Sequence, residues 1–178
     1  MPVLEFAVTG ASAVARKLTE PTPMDNPFMA RAIQLSLDNV VSDEGGPFGA
    51  VIVKNGSIVA EGVNRVTANN DATAHAEVVA IRAACAKLGA FTLNDCEIYT
   101  SCEPCPMCLG AIYWAHLARV YFANLAADAS RIGFDDSYIY REFAKPFPER
   151  SIPVVQMMRD QALSAFTAWR EKPNKIQY

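Results

Sequence analysis

Two cysteines three residues apart, Cys105 and Cys108, stand at the head of a helical stretch that runs to about residue 115. Pro104 and Pro106 favour a helix entry at this point. The i, i+3 spacing puts both sulfurs on one side of the first turn. There the free N–H groups and the positive end of the helix dipole stabilise thiolate, the form that binds zinc. A metallated pair at a helix entry dictates that some distant segment must fold back to complete the coordination.

One of the chain's two histidines offers that partner. In "TAHAEVVAIRAAC" (73–85), His75 opens a second helical stretch over roughly 74–88, with Glu77 two residues later. His75, Cys105 and Cys108 would leave the fourth position of a zinc ion open for water, the pattern of catalytic zinc. Water bound to zinc acidifies towards neutrality, and Glu77 is the nearest group able to carry its protons. Residues i and i+2 do not share a helix face. His75 and Glu77 therefore converge only if His75 sits at the helix entry, with Thr73 as the expected cap. Two helices would then meet amino end to amino end over one metal.

Blander readings stand beside this one. The His-x-Glu could be incidental, and the Cys-x-x-Cys could be a redox pair. Cys102 could also join His75, Cys105 and Cys108 in a closed structural Cys₃His site. Against that last reading, Cys102 follows the alternating segment "EIYTS" at a strand end, and Glu77 would have no task.

The rest of the chain reads as an α/β layered fold. A helix beginning at Asp25 or Asn26, with Pro27 in its first turn, would carry Phe28, Ala32, Ile33, Leu35, Leu37 and Val40. "AVIVKNGSIVAEG" forms a hairpin about Asn55-Gly56, which makes "NGS" a turn rather than a glycosylation acceptor. A polar loop (64–72), strands near 97–101 and 119–123, and "IPVVQM" as a further strand follow. Leu163, Phe166 and Trp169 recur at helical spacing. Strands alternating with helices imply a layered sheet.

At 178 residues, one domain can bury a core without disulfides. Three of the five cysteines crowd into residues 102–108, which suits metal ligation better than a disulfide framework. The net charge of −3, without a basic run, shows no footprint for macromolecular nucleic acid. No stretch has the length of a membrane span, and the leader lacks a basic n-region, so a cytoplasmic location is expected.

Taken together, "HAE" (75–77) and "PCPMC" (104–108) resemble the signature of the cytidine and nucleobase deaminase superfamily. The resemblance implies an α/β/α three-layer sandwich around a mixed central sheet. It also implies one Zn2+ per subunit on His75, Cys105 and Cys108, with Glu77 as general acid/base. Within that superfamily the chain is most similar to bacterial guanine deaminases. "GGPFGAVIVK", "DATAHAEVVAIRAAC", "YTSCEPCPMCLGAIYWA", "GFDDSYIYREF" and "AFTAWR…Y" carry this similarity.

It implies hydrolysis of guanine to xanthine and ammonia. Asn64 would hydrogen-bond the purine, and Phe48 would pack on its ring. Asp136 of "GFDD" would face the amine, and Glu142 is a second acidic candidate for proton or ammonia handling. Trp114 would line the wall, and Tyr178 would close the pocket from the partner subunit of a homodimer that exchanges its tails. The deaminase domain would span 25–178, after an extension over 1–24. A tRNA adenosine deaminase shares the asparagine after the hairpin and an "EPCxMC" stretch, but would need a basic surface for phosphates. Cytosine or cytidine deaminase, and a structural zinc-binding interaction module, are the remaining alternatives.

Overall fold

A computed structural model describes residues 26–177. Residues 1–25 and Tyr178 lie outside the described residues.

Asn26 caps the first helix, α1 (Pro27–Val41): its Oδ1 accepts hydrogen bonds from Phe28 N at 2.9 Å and Met29 N at 3.0 Å. Pro27 occupies the first turn, where its missing N–H costs nothing. The hairpin follows as β1 (Gly49–Lys54) and β2 (Ser57–Val63). Asn55 and Gly56 both take positive φ, 51° and 72°, as the tight turn between right-twisted strands requires. The polar loop holds one short helix, α2 (Val66–Asn69), that its composition did not announce. Then come α3 (Ala76–Leu88), β3 (Cys96–Cys102), α4 (Pro106–Trp114) and β4 (Arg119–Asn124).

The strands form one mixed sheet in the order β2-β1-β3-β4. β1 pairs antiparallel with β2 and β3, and β4 runs parallel to β3. Alternation along β1 divides the core. Ala50 and Ile52 pack with Ala76, Ala80, Ile81, Ile98 and Ile112 on the face covered by α3 and α4. Val51 and Val53 pack with Ala32 and Tyr99 on the face covered by α1. A strand buried on both faces makes this a three-layer α/β/α fold.

Gly62 is where α3 docks on the sheet. A Cβ there would lie 2.3 Å from Ala76 O and 2.5 Å from Ala80 N, both backbone atoms of the helix's first turns. Gly62→Ala must push α3 off the sheet, costing about 1–3 kcal/mol. We expect a fall of several degrees in Tm together with loosened metal binding, because His75 caps this helix. An unchanged Tm would contradict the close packing.

After β4 the chain forms α5 (Ala126–Arg131), α6 (Ser137–Ala144), a 3₁₀ turn at Phe147–Glu149 and α7 (Arg159–Glu171). The stretch 152–157, expected as a strand, is not one. It runs exposed, with no partner strand beside it among the described residues, and apolar alternation alone does not make a strand. α7 buries none of its residues, and Phe166 is 75% exposed. Among the described residues, no helix is long and apolar enough to cross a membrane.

Candidate metal centre and substrate cavity

His75 and Cys105 are the N-cap residues of α3 and α4. Both are extended, with ψ of 156° and 168°, and the His75 side chain makes no cap bond to its own helix. A cap side chain ordinarily turns inward to satisfy an N–H group. Here the two point at each other, which releases them as ligands. Thr73 is not the cap: its N–H and Oγ1 donate to Asp71 Oδ1 at 2.8 and 2.7 Å. Asp71 makes the turn, because its carboxylate accepts both bonds at once. His75 is left at the helix entry, not yet helical, where it can converge with Glu77.

His75 Nδ1 lies 3.5 Å from Cys105 Sγ and 3.5 Å from Cys108 Sγ. Tetrahedral zinc, with bonds of about 2.0–2.1 Å to nitrogen and 2.3 Å to sulfur, spaces its ligand atoms about 3.5 Å apart. Both nitrogen–sulfur distances match that spacing, and the three ligand atoms all lie within 4.8 Å of one another. Cys102 is absent from the group that His75, Cys105 and Cys108 form. Its thiol is directed to Leu125 O at 3.7 Å, so the closed Cys₃His reading is not supported.

The electrostatics suit a bound cation. The Cys105 thiol is lowered to about 4, chiefly by the hydrogen bond from Cys108 and then by His75. Cys108 moves the other way, raised by its bond to Cys105 and by burial. A dication held between the two sulfurs would favour both as thiolates. Glu77, on the first turn of α3, is 8% exposed, and burial holds its carboxyl above the usual range.

Above these groups opens a cavity of about 660 Å³. His75, Glu77 and Cys105 form its base, with Phe48, Asn64, Phe134 and Asp136 on its walls. That volume accommodates a heterocycle the size of a nucleobase. Asp43, Glu103, Asp135 and Asp136 also line it, and among the described residues no lysine or arginine does.

The profile of the cytidine and deoxycytidylate deaminase zinc-binding region matches residues 23–124. The chain belongs to this family. It is 58% identical to the guanine deaminase of Bacillus subtilis over 85% of this chain and 97% of that protein. The crystal structure of the Bacillus subtilis enzyme superimposes with a TM-score of 0.83, covering 85% of this chain and 96% of that one. A guanine deaminase from Nitrosomonas europaea superimposes with a TM-score of 0.59 at 32% identity, covering 74% and 77% of the two chains. A tRNA-specific adenosine deaminase from Agrobacterium fabrum is 45% identical over 43% of this chain and 50% of its own.

In this deaminase fold the remaining candidates separate. Phe48 stands edge-on to Phe134, with centroids 5.0 Å apart and planes at 89°. Asn64 is buried, and its Oδ1 accepts from Gly46 N at 3.4 Å and Val66 N at 3.3 Å. Asp135 is committed to capping α6 through Ser137 N at 3.0 Å. Asp136 is half-buried, its carboxyl raised by desolvation and by the nearby Cys105. Trp114, the last residue of α4, is 70% exposed and outside the cavity lining. Glu142 is also outside it: its carboxylate accepts from Lys145 Nζ at 2.5 Å and from Ser151 N at 2.7 Å. Those bonds hold its carboxyl down at about 2.

The sequence reading missed Phe134 and the acidic Asp43 and Glu103. Phe134 follows Gly133, whose φ of 96° turns the chain towards the cavity. The glycine before "FDD" was the available signal.

Proposed function

We propose that the protein hydrolyses guanine to xanthine and ammonia. The observation that carries this reading is the 58% identity to a guanine deaminase along 85% of the chain, joined to the open three-ligand centre beneath a base-sized cavity. Similarity to the Agrobacterium tRNA enzyme extends over only 43% of the chain. A cavity lined by four acids besides Glu77, without lysine or arginine among the described residues, also suits a neutral base better than a phosphate-bearing strand.

His75, Cys105 and Cys108 would hold zinc, which supplies the charge that makes water a competent nucleophile at neutral pH. Glu77 takes the proton from the water that attacks C2 and returns it to the ring nitrogen. Glu77 then carries the proton of the new C2 hydroxyl to the exocyclic amine; the C2–N bond breaks, ammonia leaves and C2 becomes a carbonyl. Phe48 and Phe134, packed edge-to-face on each other, offer the ring an apolar wall, and Asn64 hydrogen-bonds its edge. Asp136, its carboxyl raised by desolvation and by nearby Cys105, faces the amine. Glu142 fixes the turn after α6 and acts on the site only through that turn.

The partner is a second copy of the chain. α7 carries Leu163, Phe166 and Trp169 on a helix that buries none of its residues, and Ile152, Val155 and Met157 before it are each about 76% exposed. An amphipathic helix without its own core supports exchange of tails between subunits, with Tyr178 brought to the partner's cavity. The protein acts in the cytoplasm on a free purine.

Ammonia release from guanine, adenine, cytosine, cytidine and an adenosine-containing tRNA stem-loop, offered in parallel, tests the substrate. Guanine is expected to be the preferred substrate by a wide margin. Faster turnover of the stem-loop would transfer the reading to tRNA. Ending the chain at residue 150 should lower guanine turnover and yield monomers on size-exclusion chromatography, with zinc retained. Full activity in a monomeric truncation would remove the tail from the site.

A further inference from the structure

Asn39 lies on α1, is 4% exposed, and does not line the cavity. A buried amide in a helix that packs on a sheet needs partners, and its choice of them is informative. Its Nδ2 donates to Gly46 O at 2.9 Å and to Asn64 O at 3.0 Å. Neither carbonyl belongs to a strand ladder. One is in the loop that leads to Phe48, and the other is the main chain of the proposed base-reading asparagine.

The same two segments meet a second time through the Asn64 side chain. Its Oδ1 faces the N–H groups of Gly46 and Val66, so an oxygen must occupy that position and the amide NH₂ must point away from them. The approach is close enough to require glycine at 45, where a Cβ would sit 2.2 Å from Asn64 O. An ion pair between Arg65 and Glu44 closes the outer edge. From there Arg65 N donates to Ala74 O at 2.8 Å, next to His75.

We infer that Asn39 is a positioning residue that locks the orientation of Asn64, so that the cavity wall offers amide N–H donors to an acceptor on the substrate. This rests on the reading of the cavity as a purine site. Asn39 touches no substrate. It grips the backbone of both segments from behind, and that grip keeps Asn64 Oδ1 turned to the two N–H groups. Without it, the loop is free to separate and the Asn64 amide to rotate, presenting oxygen or nothing to the base.

The test compares Asn39→Ala and Asn39→Ser with the wild type, the serine variant retaining one donor in case the alanine variant folds poorly. Amide hydrogen exchange at Gly46 and Val66 should quicken, while Val51 and Ile52 in β1 stay unchanged. KM for guanine should rise about tenfold, the loss of one ordinary hydrogen bond, with kcat much less affected and zinc still bound. Asn39→Ala combined with Asn64→Ala should bind guanine no worse than Asn64→Ala alone, because the two act through one contact. Unchanged exchange at Gly46 and Val66 would overturn the proposal, as would single-variant losses that multiply in the double variant. Absence of guanine turnover in the wild type would instead count against the substrate reading. The exchange experiment would still judge Asn39.

Discussion

Glu77→Gln keeps its zinc and loses about 10²–10⁴-fold in guanine turnover, the range that a positioned general acid–base contributes. The glutamine is nearly isosteric, so the first turn of α3 and its packing survive. What disappears is a carboxylate that can take a proton and give it back. Burial makes the substitution decisive. Glu77 is 8% exposed at the cavity base, and solvent has little access to replace it. Zinc stoichiometry and kcat, measured on the same preparation, check this. Zinc retained with turnover near the wild-type rate would remove Glu77 from the mechanism and revive a structural role for the metal.

Cys108→Ala acts one step earlier. Cys108 is the third residue of α4, is fully buried, and stands 3.5 Å from His75 Nδ1. Removing it leaves two ligands and a void beneath the site. Mutating residues that merely support metal ligands typically costs about 10–100-fold in metal affinity, so loss of a ligand itself should exceed that. We expect zinc content to fall well below one per chain after dialysis and turnover to fall with it. The alanine also leaves Cys105 without its hydrogen-bond donor, raising that thiol from about 4. Full zinc occupancy in the variant would mean that the metal is held elsewhere.

The sequence spoke most clearly where one residue has both a local and a distant task. Cys105 and His75 each mark a helix entry and a ligand, and the rule that i and i+2 share no helix face forced His75 to the cap position, where it stands. Asn55-Gly56 likewise determined its turn through positive φ. Local rules misled where a neighbour competed. Thr73 looked like a cap but is taken by Asp71, a carboxylate able to accept from both its N–H and its hydroxyl. The stretch 152–157 has apolar composition without a strand to pair with. Trp114 and Glu142, which came from the resemblance rather than from any local rule, face solvent and a turn, respectively. Asn39 was not legible at all, since its partners are backbone carbonyls 7 and 25 residues away. Three-dimensional accounting of hydrogen bonds finds such a residue, and periodicity does not.

The most direct measurement titrates zinc into metal-free protein while following ammonia released from guanine. The rate should climb linearly and stop at one zinc per chain, because one His75–Cys105–Cys108 centre serves one cavity. Zinc bound at that stoichiometry with no ammonia formed at any point of the titration would contradict it.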